Sequence, residues 1–234
     1  MRRILAIGTF LMLAAAGVTQ AGITGTVTGV TDYDFRGYTQ TGGDPAIQGS
    51  VDFSLDNGFY AGAWTSSSLD FGPGTDADWE VDIYTGFNFG GGDDKVGYSL
   101  NAVYYTYPGA SDFDFPEVSA GISYKIMTAK LWYTWDFAAT SRDAWYLEGN
   151  MTFPLPEDFG FVVHAGYSGG DYWKDFDGEY LDFAVGVTKS FGHFDTSLKY
   201  IDTSGAVYDH GSDVFSGKGK VLFTIATTFP WSKE

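Results

Sequence analysis

The sequence contains no cysteine among its 234 residues. A disulfide framework and a thiolate metal site are therefore both excluded. Basic residues are few, with 13 Lys and Arg against 30 Asp and Glu, and the formal net charge is −17 at pH 7. Such a chain repels nucleic acid, and the sequence has no basic cluster that would offset the repulsion. We therefore expect no nucleic-acid partner.

Long apolar runs are missing except at the N-terminus. Two arginines after Met1 precede the apolar stretch Ile4–Val18, and the small-residue pattern Thr19–Ala21 follows it. This arrangement is typical of a secretory signal peptide, and the stretch is too short for a membrane-spanning helix. We expect cleavage after Ala21, so that residues 1–21 are the signal peptide and residues 22–234 form one domain, a barrel by the argument below. Loss of the two arginines makes the mature chain two charge units more negative.

Proline is scarce, with 7 residues, whereas aromatic residues make up 18% of the chain and glycine contributes 32 residues. A chain this aromatic is not a disordered acidic polypeptide. An exported, acidic, aromatic-rich chain without later apolar helices leaves two main classes. These are a periplasmic β protein and an outer-membrane β-barrel.

Turn signals divide the mature chain into about twelve segments in which apolar and polar residues alternate, as in strands with one apolar face. The last segment, Lys220–Phe229, alternates clearly and ends on an aromatic residue. A strand with an apolar outer face cannot remain an open edge in lipid, so we expect it to pair with the first strand and close a barrel. The predicted strands are 23–35, 46–55, 58–68, 79–89, 95–107, 116–125, 128–137, 144–153, 160–168, 179–190, 193–202 and 217–229.

The gaps between these segments alternate in length. Gaps after odd-numbered strands are mostly long, such as Arg36–Pro45, and gaps after even-numbered strands are mostly tight, such as Phe191–Gly192. Short periplasmic turns and long outer loops produce this alternation in an outer-membrane barrel with an even strand number and two periplasmic termini. A soluble sandwich has no reason to keep it. The sequence therefore predicts an all-β, transmembrane, antiparallel up-and-down barrel.

Aromatic residues of the apolar face fall near the two ends of the strands, with aliphatic residues between them. Two such belts match the aromatic girdles at membrane interfaces. In the third strand the face is ambiguous, because Tyr60 and Trp64 lie opposite Phe59, Ala61 and Ala63. The loop-end belt is predicted to be Tyr33, Phe35, Tyr104, Tyr133, Trp135, Trp145, Tyr167, Phe183 and Tyr200, and the turn-end belt Phe53, Phe59, Phe87, Phe89, Tyr124, Phe153, Phe161, Phe194 and Phe229.

Several motifs occur together: Thr31–Thr41 followed by Asp44–Gly49, then Gly58–Trp64, Glu80–Tyr84 and Tyr104–Gly109. In combination they resemble the TorF family, porin-like proteobacterial outer-membrane proteins of ill-defined function. The resemblance covers most of the mature chain. It implies a Gram-negative outer-membrane barrel with a transport role, and it brings no catalytic residues and no established substrate.

Charged residues on the inward parity of the strands are the candidate pore lining. Arg36 shares this parity with Asp32 and Asp34, which indicates either a charged constriction or an ion-paired structural cluster. Residues 38–41 are expected to continue this loop inward over the lumen. The inward set contains nine acidic residues and four basic ones, so a water-filled lumen is predicted to favour cations. The set is Asp32, Asp34, Arg36, Asp52, Glu80, Asp82, Glu117, Lys125, Lys130, Asp136, Glu148, Asp182 and Lys199.

Twelve strands lie between barrels filled by side chains and barrels with a wide aqueous channel. Inward aromatic residues would narrow or plug such a lumen. Both a narrow pore and a closed barrel therefore remain open at this point. The inward aromatic residues are Tyr84, Tyr105, Trp132 and Tyr146.

Catalysis and metal binding find little support in the sequence. None of His164, His193 and His210 shares an outward strand face with a serine at matching height, as a lipid hydrolase would require. The acidic run Asp171–Gly178 fails the spacing of a calcium loop, because Trp173 takes a position that needs an acidic residue. We expect no enzymatic activity, no cofactor and no metal site.

The sequence therefore predicts a porin-like channel in the cell outer membrane for passive diffusion of small solutes, with a preference for cations. Its expected partners are outer-membrane lipid and lipopolysaccharide, small solutes or ions, and the outer-membrane assembly machinery. The first alternative is a closed structural or adhesion barrel that binds a surface partner through its outer loops. The second is a soluble periplasmic β protein that binds a ligand, which the aromatic belts argue against.

Overall fold

A computed structural model gives the structure of the protein. It describes residues 22–72, 76–92, 94–176, 178–205 and 216–231. The predicted signal peptide 1–21, His210, and most of the last long loop lie outside the described residues.

Twelve strands form one closed antiparallel barrel in which each strand pairs with its neighbours along the chain. The predicted fold class and strand number are confirmed. The last strand pairs with the first, from Gly25 opposite Phe229 to Val30 opposite Thr224, so no open edge remains. The barrel strands are β1 Gly22–Val30, β4 Ala46–Ser54, β5 Phe59–Ser67, β6 Trp79–Gly90, β7 Gly97–Thr106, β8 Phe115–Tyr124, β9 Met127–Thr134, β10 Ala144–Pro154, β11 Phe159–Gly169, β12 Tyr180–Phe191, β13 Phe194–Gly205 and β14 Lys220–Phe229.

The two ends of the barrel differ. Short turns join the strands at the end where β1 begins and β14 finishes, which we call the turn end. Long connections join them at the opposite, loop end, and these carry a short hairpin, β2 Asp34–Phe35 with β3 Tyr38–Thr39, and three short helices. The helices are the 3₁₀ turns Ser111–Phe113 and Phe137–Ala139 and the α-helix α1 Asp171–Phe176. Among the described residues, no helix is long and apolar enough to cross a membrane.

The first strand is shorter than predicted. We expected it to run from residue 23 to residue 35, but β1 ends at Val30 and the chain then turns into the barrel. The alternation of polar and apolar residues continues through residues 31–35, which is why the sequence gives no sign of the break. Tyr33 and Phe35 therefore do not belong to the loop-end belt. Tyr33 is buried, and Phe35 packs against the buried aromatic cluster.

The outer face of the barrel is apolar. Residues such as Ile83, Leu131 and Val185 are exposed there, whereas their sequence neighbours on the opposite parity are mostly buried or half-buried. Such a face requires lipid around it. In β5, the ambiguous strand, Phe59 and Ala63 face outward, and Tyr60 and Trp64 pack against the interior cluster.

The interior changes character along the barrel. In the turn-end half, many inward side chains are polar and only half-buried, whereas Val162, Thr188 and Ser197 are buried. We call this region the turn-end chamber and define it by Thr24, Thr26, Ser50, Asp52, Ser99, Glu148, Asn150 and Thr152. In the loop-end half the inward residues have almost no exposed surface, as at Ser66, Thr134, Ala144, Ser168 and Tyr180.

Candidate functional site

The segment Thr31–Thr41, which we call the inner hairpin, fills the loop-end half of the barrel. Arg36 and Gly37 form its two-residue turn, with φ of 54° and 90°. Positive φ at both central residues is the geometry that tight hairpins favour. A Cβ atom on Gly37 would lie 2.4 Å from Thr203 Cγ2 and 2.9 Å from Asp182 Cβ, so only glycine allows the hairpin to approach the wall.

Arg36 anchors the tip of the inner hairpin to the barrel wall. Its guanidinium nitrogen Nη2 donates to both carboxylate oxygens of Glu117 on β8, at 2.8 and 2.7 Å. Glu117 has no exposed surface, and it also accepts a hydrogen bond from the Tyr105 hydroxyl at 3.0 Å. A buried pair of this kind is stable only when both charges are matched, and removal of either partner is strongly destabilising.

Aromatic rings surround the Arg36 guanidinium. Its central carbon lies 4.7 Å from the centroid of Phe35 and 4.5 Å from that of Tyr146. Burial lowers the pKa of Arg36, but the neighbouring negative charges, chiefly Glu117, raise it by a larger amount. The pKa of Arg36 therefore lies above its ordinary value. The guanidinium therefore remains charged at all working pH values. The backbone of the tip is held as well, because the Tyr180 hydroxyl donates to the Arg36 carbonyl at 3.0 Å.

Lys220, the first residue of β14, forms a second anchor. Its ammonium group lies 2.8 Å from Asp34 Oδ1 and 3.1 Å from Asp32 Oδ2. Burial raises the pKa of Asp34, and the Lys220 charge opposes that shift only in part. Asp32 also accepts hydrogen bonds from Thr39 and Thr41 within the inner hairpin. The predicted inward set did not include Lys220.

A third polar group lies beside the inner hairpin. His164 Nε2 is 2.7 Å from Asp182 Oδ1, and the Tyr146 hydroxyl donates to the same oxygen at 3.0 Å. His164 Nδ1 bonds Asn150 Oδ1 at 2.8 Å, and Asn150 in turn donates to Glu148 at 2.9 Å. This chain of contacts connects the buried hairpin to the turn-end chamber.

Six aromatic residues form a continuous series of ring contacts around the inner hairpin. Successive ring centroids lie between 4.6 and 6.1 Å apart, distances at which rings attract each other. The series begins and ends on the hairpin, because Phe35 and Tyr38 are opposite each other in β2 and β3. We call this series the aromatic ring: Phe35, Tyr105, Phe115, Phe137, Trp173 and Tyr38.

The structure divides the predicted pore-lining residues into four groups. Asp32, Asp34, Arg36, Glu117 and Asp182 meet at the inner hairpin, and the residues 38–41 are buried with them as expected. The remaining residues are distributed as follows: Glu80, Asp82 and Lys199 are buried in the interior, Asp52, Lys130 and Glu148 are half-buried toward the chamber, and Lys125 and Asp136 lie in connections.

Lys125 and Asp136 do not contribute to the interior group. Lys125 lies in the tight turn between β8 and β9, where its side chain is 51% exposed and 3.2 Å from Asp94. Asp136 precedes a 3₁₀ turn in a loop and accepts the Ser141 backbone N–H at 2.6 Å. In both cases the predicted strand is too long, so the alternation assigned an inward side chain to a residue that lies one or two positions beyond the strand end, in a connection.

In the described part of the chain, no group of three or more His, Asp or Glu side chains is arranged to hold a metal ion. The acidic run near residue 171 forms α1, and the structure does not describe Asp177. Its ion pairs are made at the surface, as between Arg142 and Asp175 at 3.0 Å.

Comparison with known proteins assigns the family. The profile of a group of bacterial proteins of unknown function, Gcw_chp, matches residues 14–229. The chain belongs to the Gcw_chp family. This match does not confirm the TorF resemblance, which stays an interpretation of the motifs. Among curated proteins, none matches the chain.

Solved structures with the same fold are outer-membrane porins. The NanC porin aligns with a TM-score of 0.57 and 11% identity, over 88% of this chain and 99% of that one. The KdgM porin, in complex with disordered oligogalacturonate, aligns with a TM-score of 0.54 and 7% identity, over 90% of this chain and all of that one. At this level of identity the likeness establishes the fold of the Gcw_chp protein and nothing about its substrate.

Proposed function

We propose that this protein is an outer-membrane channel for passive diffusion of small solutes, with a preference for cations. The observation that carries the proposal is the turn-end chamber, a half-exposed interior lined by hydroxyl, amide and carboxylate groups inside an apolar outer surface. An interior built only for stability would be filled throughout with packed side chains. Porin-like barrels of similar length support the same interpretation.

The inner hairpin is the closed gate of this channel. In the structure it and the aromatic ring occupy the loop-end half of the barrel. Solutes can pass only after the hairpin has moved, because the residues around its tip leave no exposed surface. Charged anchors suit such a role, since a polar segment can leave the interior for water more easily than an apolar plug can.

Cation preference rests on the charges of the chamber. Asp52, Glu148 and Lys130 are half-buried there, so the acids outnumber the bases by two to one. Each carboxylate oxygen of the two acids already accepts one hydrogen bond from the wall. Fixed carboxylates attract cations and repel anions within a narrow lumen. We therefore expect this channel to reject acidic oligosaccharides of the kind seen with the KdgM porin.

We place the protein in the cell outer membrane of a Gram-negative bacterium, with the turn end toward the periplasm. Its exposed aliphatic face and aromatic girdles fit lipid, with lipopolysaccharide around the loop end. Insertion then requires the outer-membrane assembly machinery, and residues 1–21 would direct export.

A second function, a closed barrel that binds a surface partner through its outer loops, is favoured by the aromatic ring. This ring seals the loop end as tightly as a hydrophobic core, with Tyr105 only 1% exposed. In that case the turn-end chamber would be closed at the loop end, and the inner hairpin would stay inside the barrel permanently.

Single-channel recording in a planar bilayer with a salt gradient separates the two functions. We expect conductance steps whose reversal potential shows cation selectivity, and replacing Asp52 and Glu148 together by Asn and Gln should shift it toward anions. Asp175→Asn, at an exposed position of helix α1, is the control and should leave it unchanged. Stable insertion with no steps, or steps that select anions in the unmodified protein, would contradict the proposal.

A further inference from the structure

Most buried carboxylates in the described interior have a cationic partner. Glu117 bonds Arg36, and Asp34 and Asp32 lie beside Lys220. Asp182 contacts His164 at 2.7 Å. The interior thus matches negative charge with positive charge almost residue by residue, as burial in a medium of low polarity requires.

Glu80 and Asp82 are the exception. They lie two residues apart on the inward face of β6, and they are 1% and 0% exposed. Their carboxyl groups are within hydrogen-bond reach of each other. No Lys, Arg or His of the described chain makes an ion pair with either of them, so two acidic groups share one water-excluded place.

The hydrogen bonds around the pair are unequal. Glu80 is approached by the Tyr107 hydroxyl, which donates to Oε1 at 3.5 Å, and by the Tyr33 hydroxyl. Both carboxylate oxygens of Asp82 are buried, and apart from the Glu80 carboxyl, which can donate only when it is protonated, no donor group of the described residues reaches either one. An ionised carboxylate left in this state costs several kcal/mol, so the pair needs either a proton or a bound cation to neutralise it.

We propose that Glu80 and Asp82 hold a hard metal cation between their carboxylates, next to the closed inner hairpin. The donor atoms available to it are carboxylate and phenolic oxygens, which suit alkali and alkaline-earth ions and exclude the softer metals that need nitrogen or sulfur. The site adds a third attachment for the inner hairpin, since Tyr33 belongs to the hairpin and faces Glu80.

Thermal unfolding of the folded barrel in detergent micelles tests this inference independently of conductance. The probes are the chlorides of Na⁺, K⁺, Mg²⁺ and Ca²⁺, compared with choline chloride at equal ionic strength, because choline is too large for the site. We expect at least one metal ion to raise the unfolding midpoint of the unmodified protein by about 3 °C or more relative to choline.

Asp82→Asn should abolish the difference between metal and choline, and in choline it should be more stable than the unmodified protein because it removes an uncompensated charge. Glu80→Gln is a second variant with the same expectation. Asp195→Asn is the control, a half-buried inward carboxylate near the turn end that accepts from Ser190. It should keep the metal effect.

Equal midpoints in all salts would overturn the proposal, as would a metal effect that survives in Asp82→Asn. Infrared spectroscopy supplies the other decisive result. A protonated carboxyl band at neutral pH that disappears in Asp82→Asn would show that the pair shares a proton instead of binding a metal ion.

Discussion

Arg36 is the residue on which closure of the lumen depends most. It combines an ion pair in which one guanidinium nitrogen contacts both Glu117 oxygens, cation–π contacts with two rings, and a backbone in the left-handed region. The sequence placed Arg36 on the inward side with the acids Asp32 and Asp34. It did not predict that its partner is Glu117, 81 positions away, because only the closed barrel brings the two together. The partner of those acids, Lys220, was missed for the same reason.

We predict that Arg36→Ala lowers the free energy of unfolding by about 3–5 kcal/mol, because it leaves the buried Glu117 carboxylate without a counter-charge. Denaturant unfolding in lipid vesicles measures the change. Arg142→Ala is the matched control, since its ion pair with Asp175 is largely exposed and contributes at most about 1 kcal/mol. Adding Glu117→Leu to an Arg36→Met variant should recover part of the loss, and a double variant as unstable as the sum of the single ones would contradict the account.

The inner hairpin is the element that the sequence did not predict. Alternation through residues 31–35 indicated a continuing strand, and Arg36–Gly37 is not one of the dipeptides that usually signal a tight turn. The remaining barrel strands were predicted to within a few residues, because lipid on one side and polar groups on the other impose a strict period of two. A segment surrounded by protein on all sides is free of that constraint.

Gly37 and Gly43 test how closely the inner hairpin fits its site. Both have φ of 90°, but a Cβ atom on Gly37 would strike the wall, whereas one on Gly43 would meet nothing within 4 Å. We predict that Gly37→Ala displaces the hairpin and exposes the bond after Arg36 to trypsin. Gly43→Ala carries the same backbone strain and should leave that bond protected. Equal rates of cleavage in the two variants would mean that the hairpin is not seated as described.

At the scale of the whole molecule, the apolar outer face of the barrel indicates that lipid surrounds it. Barrel closure and strand number followed from the sequence alone, since each strand repeats the same pattern. The sequence did not predict whether the lumen is open, because that depends on the position of the inner hairpin inside the barrel. The half-exposed chamber and the sealed loop end are properties of the assembled barrel.

The two faces of the barrel should respond differently to added charge. Val185→Arg, on the outer face near the middle of β12, should cost about 2–4 kcal/mol in unfolding experiments with lipid vesicles. Thr26→Arg points into the turn-end chamber, where water can solvate the guanidinium, and should cost far less. Similar losses for both variants would mean that the chamber is not aqueous.

The most direct test of the account compares single-channel currents of the unmodified protein with those of a variant in which residues 32–40 are replaced by a short Gly-Ser linker. If the inner hairpin is the gate, the unmodified barrel should give small, intermittent steps and the variant steady, larger, cation-selective ones. If both insert as folded barrels and neither conducts, the channel proposal is contradicted. If both conduct and removal of the hairpin leaves the current unchanged, the channel stands and the hairpin is not its gate.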